Sequence, residues 1–371
     1  MKSSIWICLW IISFLSGCKS TPYGFAVRGY AARVDGKKVY LLADANFRSV
    51  QGKKIDTLGV AVVKDGEFSF RGSVDSLTIA QISIDGLGGG FPIFLENREF
   101  EANMDFGRLE GTLITGGKEQ GVYNLFWDID KKLFIEGGKL RIARNKSVAE
   151  DLTREAEELT RRLENLEEAM DRKENEILFQ NPDAIASAYR LKMKITKLSL
   201  KQLEEKFALL GPKARAATYG REVEDRIRRL RATTPGVQAP DFTAMTPEGN
   251  RISLYDIKAK YKIIEFWASW CGPCRADMPN MVEIYKEFHP KGLEILGVSL
   301  DGDLESWKKA IRADGQSWLH CSDLGFKQSA LAHLYVINSI PQTLVLDENN
   351  VIVARGLRGE ELKARLKELL P

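Results

Sequence analysis

The sequence predicts a multidomain chain with an N-terminal all-β sandwich or barrel, a central α-helical region and a C-terminal α/β domain. Three observations predict it. Short apolar runs separated by Asp-Gly breaks fill residues 23 to about 116, helix-forming residues with one apolar stripe fill 118 to about 232, and buried-type strands alternate with helices from about 237 onward. The chain has 371 residues, room for two or three domains at about 100–200 residues each. With 44% hydrophobic and 28% charged residues the composition is that of an ordinary globular protein. The net charge is +3 with the two signs well mixed, so the basic stripe that nucleic-acid binding needs is missing and no nucleic-acid partner is expected.

The first seventeen residues stand apart. Lys2 is their only charge, and an apolar run follows from Ile5 to Leu15, broken by Ser13. That run is shorter than the roughly 20 residues a bilayer span needs and fits the core of a signal peptide, residues 1–17. Leu15-Ser16-Gly17-Cys18 resembles the lipobox of bacterial lipoproteins. The resemblance implies that Cys18 is lipidated and anchors the mature chain to a bacterial membrane on its extracytoplasmic, periplasmic side. The alternative is an ordinary secretory signal with a chance cysteine. Several acyl chains on one residue give a stable anchor where one alone is marginal.

The all-β domain is expected over 18–116. Asp35-Gly36 lies between Tyr30–Val34 and Val39–Leu42, and Asp65-Gly66 lies between Val60–Val63 and Phe68–Phe70, both read as hairpins. Further strands are expected at Leu77–Ile84, Phe91–Leu95 and Phe100–Met104. No set of residues in this domain carries recognisable chemistry, so it reads as a binding or spacer module.

The helical region is expected over 117–232. Val148–Ile177 is rich in Glu, Arg, Leu and Ala, and Leu152, Leu159, Leu163, Leu166 and Met170 form one stripe. Asn181-Pro182 ends that helix, and further helices are expected at about Pro182–Leu198, Leu200–Leu209 and Lys213–Arg231. Residues 233–240, rich in Thr, Pro and Gly, read as a linker. The final domain, 241–371, opens with a buried-type strand at Lys262–Ala268, then a helix from Cys274 to Phe288, a second buried strand at Leu293–Leu300 and a helix at Leu304–Asp314. Ser329–Tyr335 follows as a short helix, Thr343–Leu346 and Val351–Ala354 as a hairpin, and Glu360–Leu370 as the last helix.

Cysteine placement narrows the chemistry. Cys8 leaves with the signal peptide and Cys18 goes to the lipid, so Cys271, Cys274 and Cys321 remain. One Cys-x-x-Cys pair is no disulfide scaffold. A zinc site wants a second close pair or clustered histidines, and His289, His320 and His333 are spaced otherwise, even with His320 beside Cys321, so no metal is expected. Cys321 reads as a buried strand cysteine or a third thiol.

Phe266-Trp267-Ala268-Ser269-Trp270-Cys271-Gly272-Pro273-Cys274 closes a strand and opens a helix, and it closely resembles the active site of thioredoxins. The span 237–371 resembles the membrane-associated branch of that superfamily, the type of cytochrome c maturation and respiratory thiol reductases. The all-β layout resembles the domain that precedes such domains in exported lipoproteins. The resemblance implies a thioredoxin fold, a redox-active disulfide between Cys271 and Cys274, no cofactor, protein dithiol or disulfide substrates and a membrane thiol electron donor. Physical chemistry agrees with this implication. Cys271 at a helix N-terminus meets free N–H groups and the positive dipole end, which favour the thiolate, and its pKa is expected to fall from about 8.5 toward about 7. Cys274, one turn in, is then the resolving thiol, and Gly272-Pro273 form the stiff active-site loop.

Further positions match the family. Pro279 stands where the family has a helix-kinking proline. Glu265 stands six residues before Cys271, where the family carries a buried Asp that exchanges a proton with the resolving thiol. Here the acid is the longer Glu; the alternative is a surface-facing strand residue. Ser339-Ile340-Pro341-Gln342-Thr343 resembles the family's Ile-Pro element, which implies a cis Pro341 facing the cysteines and an Ile340 backbone that pairs with substrate. Trp270 is expected to shield the site and touch partners; the alternative is a purely structural role.

The expected activity is thiol–disulfide exchange, reducing protein disulfides outside the cytoplasm. Gly-Pro between the cysteines resembles the reducing thioredoxins near about −270 mV rather than oxidants near about −120 mV. The alternatives are a disulfide isomerase, or a lipid-anchored binding module with a secondary redox domain. A peroxidase of the related peroxiredoxin group would carry Pro and Thr seven and three residues before Cys271, where Ile264 and Ala268 stand.

Overall fold

The computed structural model describes residues 24–43, 56–87, 89–105, 107–108 and 111–371. The expected signal peptide and Cys18 lie outside them. The chain divides into two compact units, one running to Arg190 with Leu209–Ala217, the other made of Leu191–Ala208 and Thr218–Pro371. Among the described residues no helix is long and apolar enough to cross a membrane.

The first unit is β-rich at its start. Strands β1 (Phe25–Ala31), β2 (Lys38–Ala43), β3 (Asp56–Val62), β4 (Glu67–Gly72), β5 (Thr78–Ile84), β6 (Phe91–Leu95), β7 (Glu99–Met104) and β8 (Leu113–Thr115) form two open four-stranded sheets, ordered β4-β1-β7-β8 and β3-β2-β5-β6. Neither closes on itself into a barrel. Alternate residues of both sheets meet in one core: Val27, Phe70 and Phe100 from the first, Leu41, Ile82 and Ile93 from the second. The expected hairpins need correction. Asp65 and Gly66 both adopt left-handed φ, 53° and 78°, and Lys64 and Glu67 exchange backbone hydrogen bonds at 2.9 Å, a two-residue turn as expected. The strands it joins, β3 and β4, then separate into different sheets. So do β1 and β2 on either side of Asp35-Gly36, where the Asp35 side chain instead caps the other turn by accepting from Gly66 N at 2.8 Å.

The helical stretch holds α1 (Lys118–Lys132), a π-helical turn at Leu133–Gly137, α2 (Gly138–Ala149), α3 (Thr153–Gln180), α4 (Ile185–Met193), α5 (Leu200–Ala208), α6 (Pro212–Ala216) and α7 (Thr218–Ala232). The expected α3 stripe is buried at Leu159, Leu163 and Met170. Leu152 precedes the helix and is exposed, because Asp151 takes a left-handed φ of 57° and starts α3 afresh. In the first unit Arg190 is clamped by Glu174 at 2.8 Å and by both Asp130 oxygens at 2.7 and 2.9 Å, which pairs an otherwise costly buried charge. The compact units divide the helices differently from the expected 117–232 region: α5 and α7 belong to the second unit. The single helix expected at Lys213–Arg231 is broken at Ala217, whose ψ of 161° is extended.

The second unit is built on a seven-stranded mixed sheet ordered β10-β9-β13-β12-β11-β14-β15. Its strands are β9 (Thr243–Met245), β10 (Arg251–Ser253), β11 (Tyr261–Trp267), β12 (Leu293–Ser299), β13 (Leu319–Ser322), β14 (Gln342–Asp347) and β15 (Ile352–Arg355). β11, β12 and β13 run parallel, and β14 lies antiparallel on the other side of β11. Helices α8 (Gly272–Phe288), α9 (Leu304–Ala313), α10 (Ala330–Leu334) and α11 (Gly359–Leu369) complete a thioredoxin-like domain. β11, flanked on both edges, is buried from Lys262 to Trp267, the charged Lys262 and Glu265 included, as a buried-type central strand should be. The segment expected as a linker is paired: Gly236 N donates to Ile352 O at 2.7 Å and Ala239 N to Asn350 O at 2.8 Å. α7 is tied to the domain by Arg226, which donates to Asn338 at 2.9 Å.

Candidate active site

The central strand β11 delivers its C-terminal end to a short turn, Ala268-Ser269-Trp270, and Cys271 caps α8. Cys271 takes an extended conformation and its sulfur accepts from Cys274 N at 3.2 Å, as an N-cap does. The two cysteines form a disulfide with an S–S distance of 2.07 Å. Cys274 is wholly enclosed, while Cys271 retains 5% exposure. Gly272 and Pro273 occupy the first turn, where a missing N–H is harmless, and Pro279 sits inside the same helix.

The turn before the cysteines is locked at Ser269. Its N–H donates to Asp301 Oδ2 at 3.0 Å, its hydroxyl to Asp301 Oδ1 at 2.5 Å, and its carbonyl accepts from Arg275 Nη1 at 3.1 Å. Asp301 is buried and also accepts from Ser299 Oγ at 2.7 Å. Arg275 is in turn paired with Asp314, Nη2 to Oδ1 at 2.6 Å.

Glu265 lies in β11 between Gly297 of β12 and Thr343 of β14. It is 2% exposed, so it is a buried acid and not a surface-facing strand residue. Its Oε2 has no hydrogen-bond partner among the described residues. Burial without a counter-charge favours the neutral acid, and the carboxylate of Asp277 on α8 adds to the effect; together they push the Glu265 carboxyl up to about 8.

The Ile340–Pro341 peptide bond is cis. Pro341 is buried, Ile340 packs on the core, and Pro341 shares a shallow depression with Pro273, Ala276, Asp277 and Arg358. The Ile-Pro element and the active-site loop, far apart in sequence, therefore meet. On another flank Trp270 is 55% exposed and stands edge-on to Phe326, ring centroids 5.6 Å apart.

A match to the AhpC/TSA family spans residues 235–355. The thiol–disulfide oxidoreductase ResA of Bacillus anthracis is 30% identical over 135 residues, which are 36% of this chain and 76% of that protein. The chain belongs to the AhpC/TSA family, as a thioredoxin-like thiol–disulfide oxidoreductase. The thioredoxin-like protein YneN of Bacillus subtilis is 36% identical over 117 residues, 32% of this chain and 68% of that protein. A solved thiol–disulfide oxidoreductase from Bacteroides fragilis is 34% identical and covers 36% of this chain and 99% of its own, with a TM-score of 0.34. Residues 25–123 match a domain of unknown function, DUF4369.

In this member of the AhpC/TSA family Ile264 and Ala268 are fully enclosed core residues. Cys321 is a free, fully buried thiol on β13, and burial, with the charge of Asp323 added, pushes it up to about 12. The structure adds Asp277, Asp301, Arg275 and Phe326 to the site. Arg275 and Asp277 follow Cys274 by one and three residues, and that helical spacing was the one available signal. Asp301 and Phe326 reach the site through the fold, with nothing in their local sequence to mark them.

Proposed function

We propose that the chain reduces disulfides of proteins outside the cytoplasm, held to a membrane by a lipid on Cys18. In this reading Cys271, as the thiolate, attacks one sulfur of a substrate disulfide; a Cys271–substrate disulfide forms and one substrate thiolate leaves. Cys274 loses its proton and attacks Cys271 Sγ; the second substrate thiolate leaves, takes up a proton, and the Cys271–Cys274 disulfide closes. Two electrons pass from the chain to the substrate, and a thiol donor at the membrane restores the pair. The ionised fraction of Glu265, which grows as pH nears about 8, takes up the Cys274 proton, Gly272 and Pro273 hold the loop, and Trp270, Ile340 and Pro341 contact the substrate.

The observation that carries this reading is the asymmetry of the pair: Cys271 at the mouth of α8, Cys274 enclosed beneath it, and a buried acid of raised pKa in the strand that leads to them. The relatives named as thiol–disulfide oxidoreductases support the chemistry, and the resemblance to respiratory and cytochrome c maturation reductases supports the direction and place. We read the two open sheets around one core as a sandwich acting as spacer or binding module.

The fully reduced chain, mixed with a disulfide-bonded protein, is expected to lose two thiols for every substrate disulfide opened. An unchanged substrate would overturn the reductase reading. Cys18→Ala is expected to release the protein from the membrane fraction or to block its processing; a processed variant that stays membrane-bound would overturn the anchor.

A further inference from the structure

We infer that Trp270 and Phe326 form one apolar docking platform, and that it takes a large apolar side chain adjoining the attacked cysteine of a protein disulfide. The inference rests on the reductase reading above and names the kind of substrate that reading leaves open.

Two large apolar side chains stand exposed together beside the reactive pair, Trp270 at 55% and Phe326 at 41%, packed edge to face. Aromatic pairs in that geometry normally close a core or an interface. Leu324, 40% exposed, lies on the same loop.

The loop is built to hold this display. Leu324 and Phe326 both take left-handed φ, 49° and 48°, a conformation bulky residues rarely adopt. Ser322 Oγ accepts from Leu324 N at 2.9 Å. Asp323 accepts from Gly325 N at 3.0 Å, from Ser329 Oγ at 2.9 Å and from Leu331 N at 3.2 Å. The base of Phe326 sits so close to Gly302 that a Cβ there would lie 3.3 Å from Phe326 Cβ. Gly302 follows Asp301, the residue that locks Ser269 next to Trp270. The Asp301-Gly302 turn thus fixes the backbone just before Trp270 and lies close to the base of Phe326, and strain of this kind persists where the surroundings over-determine it, as at binding sites.

Continuity with the reaction centre fixes the occupant. Trp270 is bonded to Cys271, so a polypeptide whose sulfur reaches Cys271 lies beside the ring pair. The depression at Pro341, by contrast, is lined by the charged Asp277 and Arg358. Large apolar residues flanking the target cysteine therefore gain most on the Trp270–Phe326 side.

The test uses the full reduced chain and two disulfide peptides that differ at the residue next to the attacked cysteine, Leu in one and Ser in the other. The parent is expected to prefer the Leu peptide about tenfold in kcat/KM. Phe326→Asn, which suits a left-handed position, should bring the ratio close to one, and Phe326→Leu should retain most of it. A parent without preference, or a Phe326→Asn variant that keeps the tenfold ratio, overturns the inference. A parent that reduces neither peptide overturns the reductase reading itself, and the inference with it.

Discussion

Glu265 makes the stability of the oxidised protein depend on pH in a direction opposite to that of most carboxylates. Its ordinary value is 4.5 and the fold pushes it up to about 8. Well below pH 4.5 the acid is protonated in both states and Glu265's own contribution to stability is at its fullest. As pH rises from there to about 8, the unfolded chain gives up a proton that the folded chain keeps, so stability falls; above about 8 the loss levels off. At ~1.36 kcal/mol for each pH unit, the interval from 4.5 to about 8 comes to about 5 kcal/mol. Glu265→Gln removes the titrating proton and keeps size and polarity. Urea denaturation of oxidised parent and variant, with neither active-site thiol free to titrate, is expected to show the variant gaining on the parent steadily from about pH 5 to about pH 8. His320, which burial pushes down to about 3, titrates alike in both proteins and cancels in the difference. Parallel stability curves would refute the reasoning. In the reduced protein the same variant should slow resolution of the mixed disulfide by roughly 10–100-fold and spare the first attack by Cys271.

Alkylation of the reduced chain near pH 7 should reach Cys271 first and leave Cys321 unmodified, since burial holds that thiol protonated; early labelling of Cys321 would contradict its placement. Asp301→Ala strips the acceptor from Ser269 N, Ser269 Oγ and Ser299 Oγ, and should cost about 2–3 kcal/mol in urea denaturation. A loss no larger than that of an exposed substitution would show the lock to be idle. Arg190→Met takes away the cation between Glu174 and Asp130 and should destabilise by about 3–5 kcal/mol, part of it recovered by adding Glu174→Gln. No recovery in the double variant would refute the ion-pair account.

The active-site strand, its helix and the cysteine pair are legible in the sequence because they are local: an apolar run, a turn and a proline-stiffened helix start lie within 266–274. Glu265 is legible by its offset from Cys271, but its burial is a property of β11 lying between β12 and β14, which one strand cannot report. The Asp65-Gly66 turn shows the same division. Two left-handed residues fix a chain reversal locally, whereas the sheets joined by β3 and β4 depend on distant partners, β2 and β1. Lys213–Arg231 reads as one helix because its residues are good helix formers, yet α6 and α7 belong to different compact units, and tertiary placement overrides propensity at Ala217. Asp301 and Phe326 sit in turns after β12 and β13, so only the parallel sheet, which sets β12 beside β11 and β13 beside β12, makes them part of the site.

Mass spectrometry of a Cys274→Ser variant mixed with a disulfide-bonded protein tests the exchange most directly. With the resolving thiol gone, a single covalent adduct is expected, joined through Cys271 and released by an added thiol. Cys271→Ser with Cys274 intact should give none. An adduct through Cys321, or adducts of equal yield from both variants, would contradict the division of roles between Cys271 and Cys274.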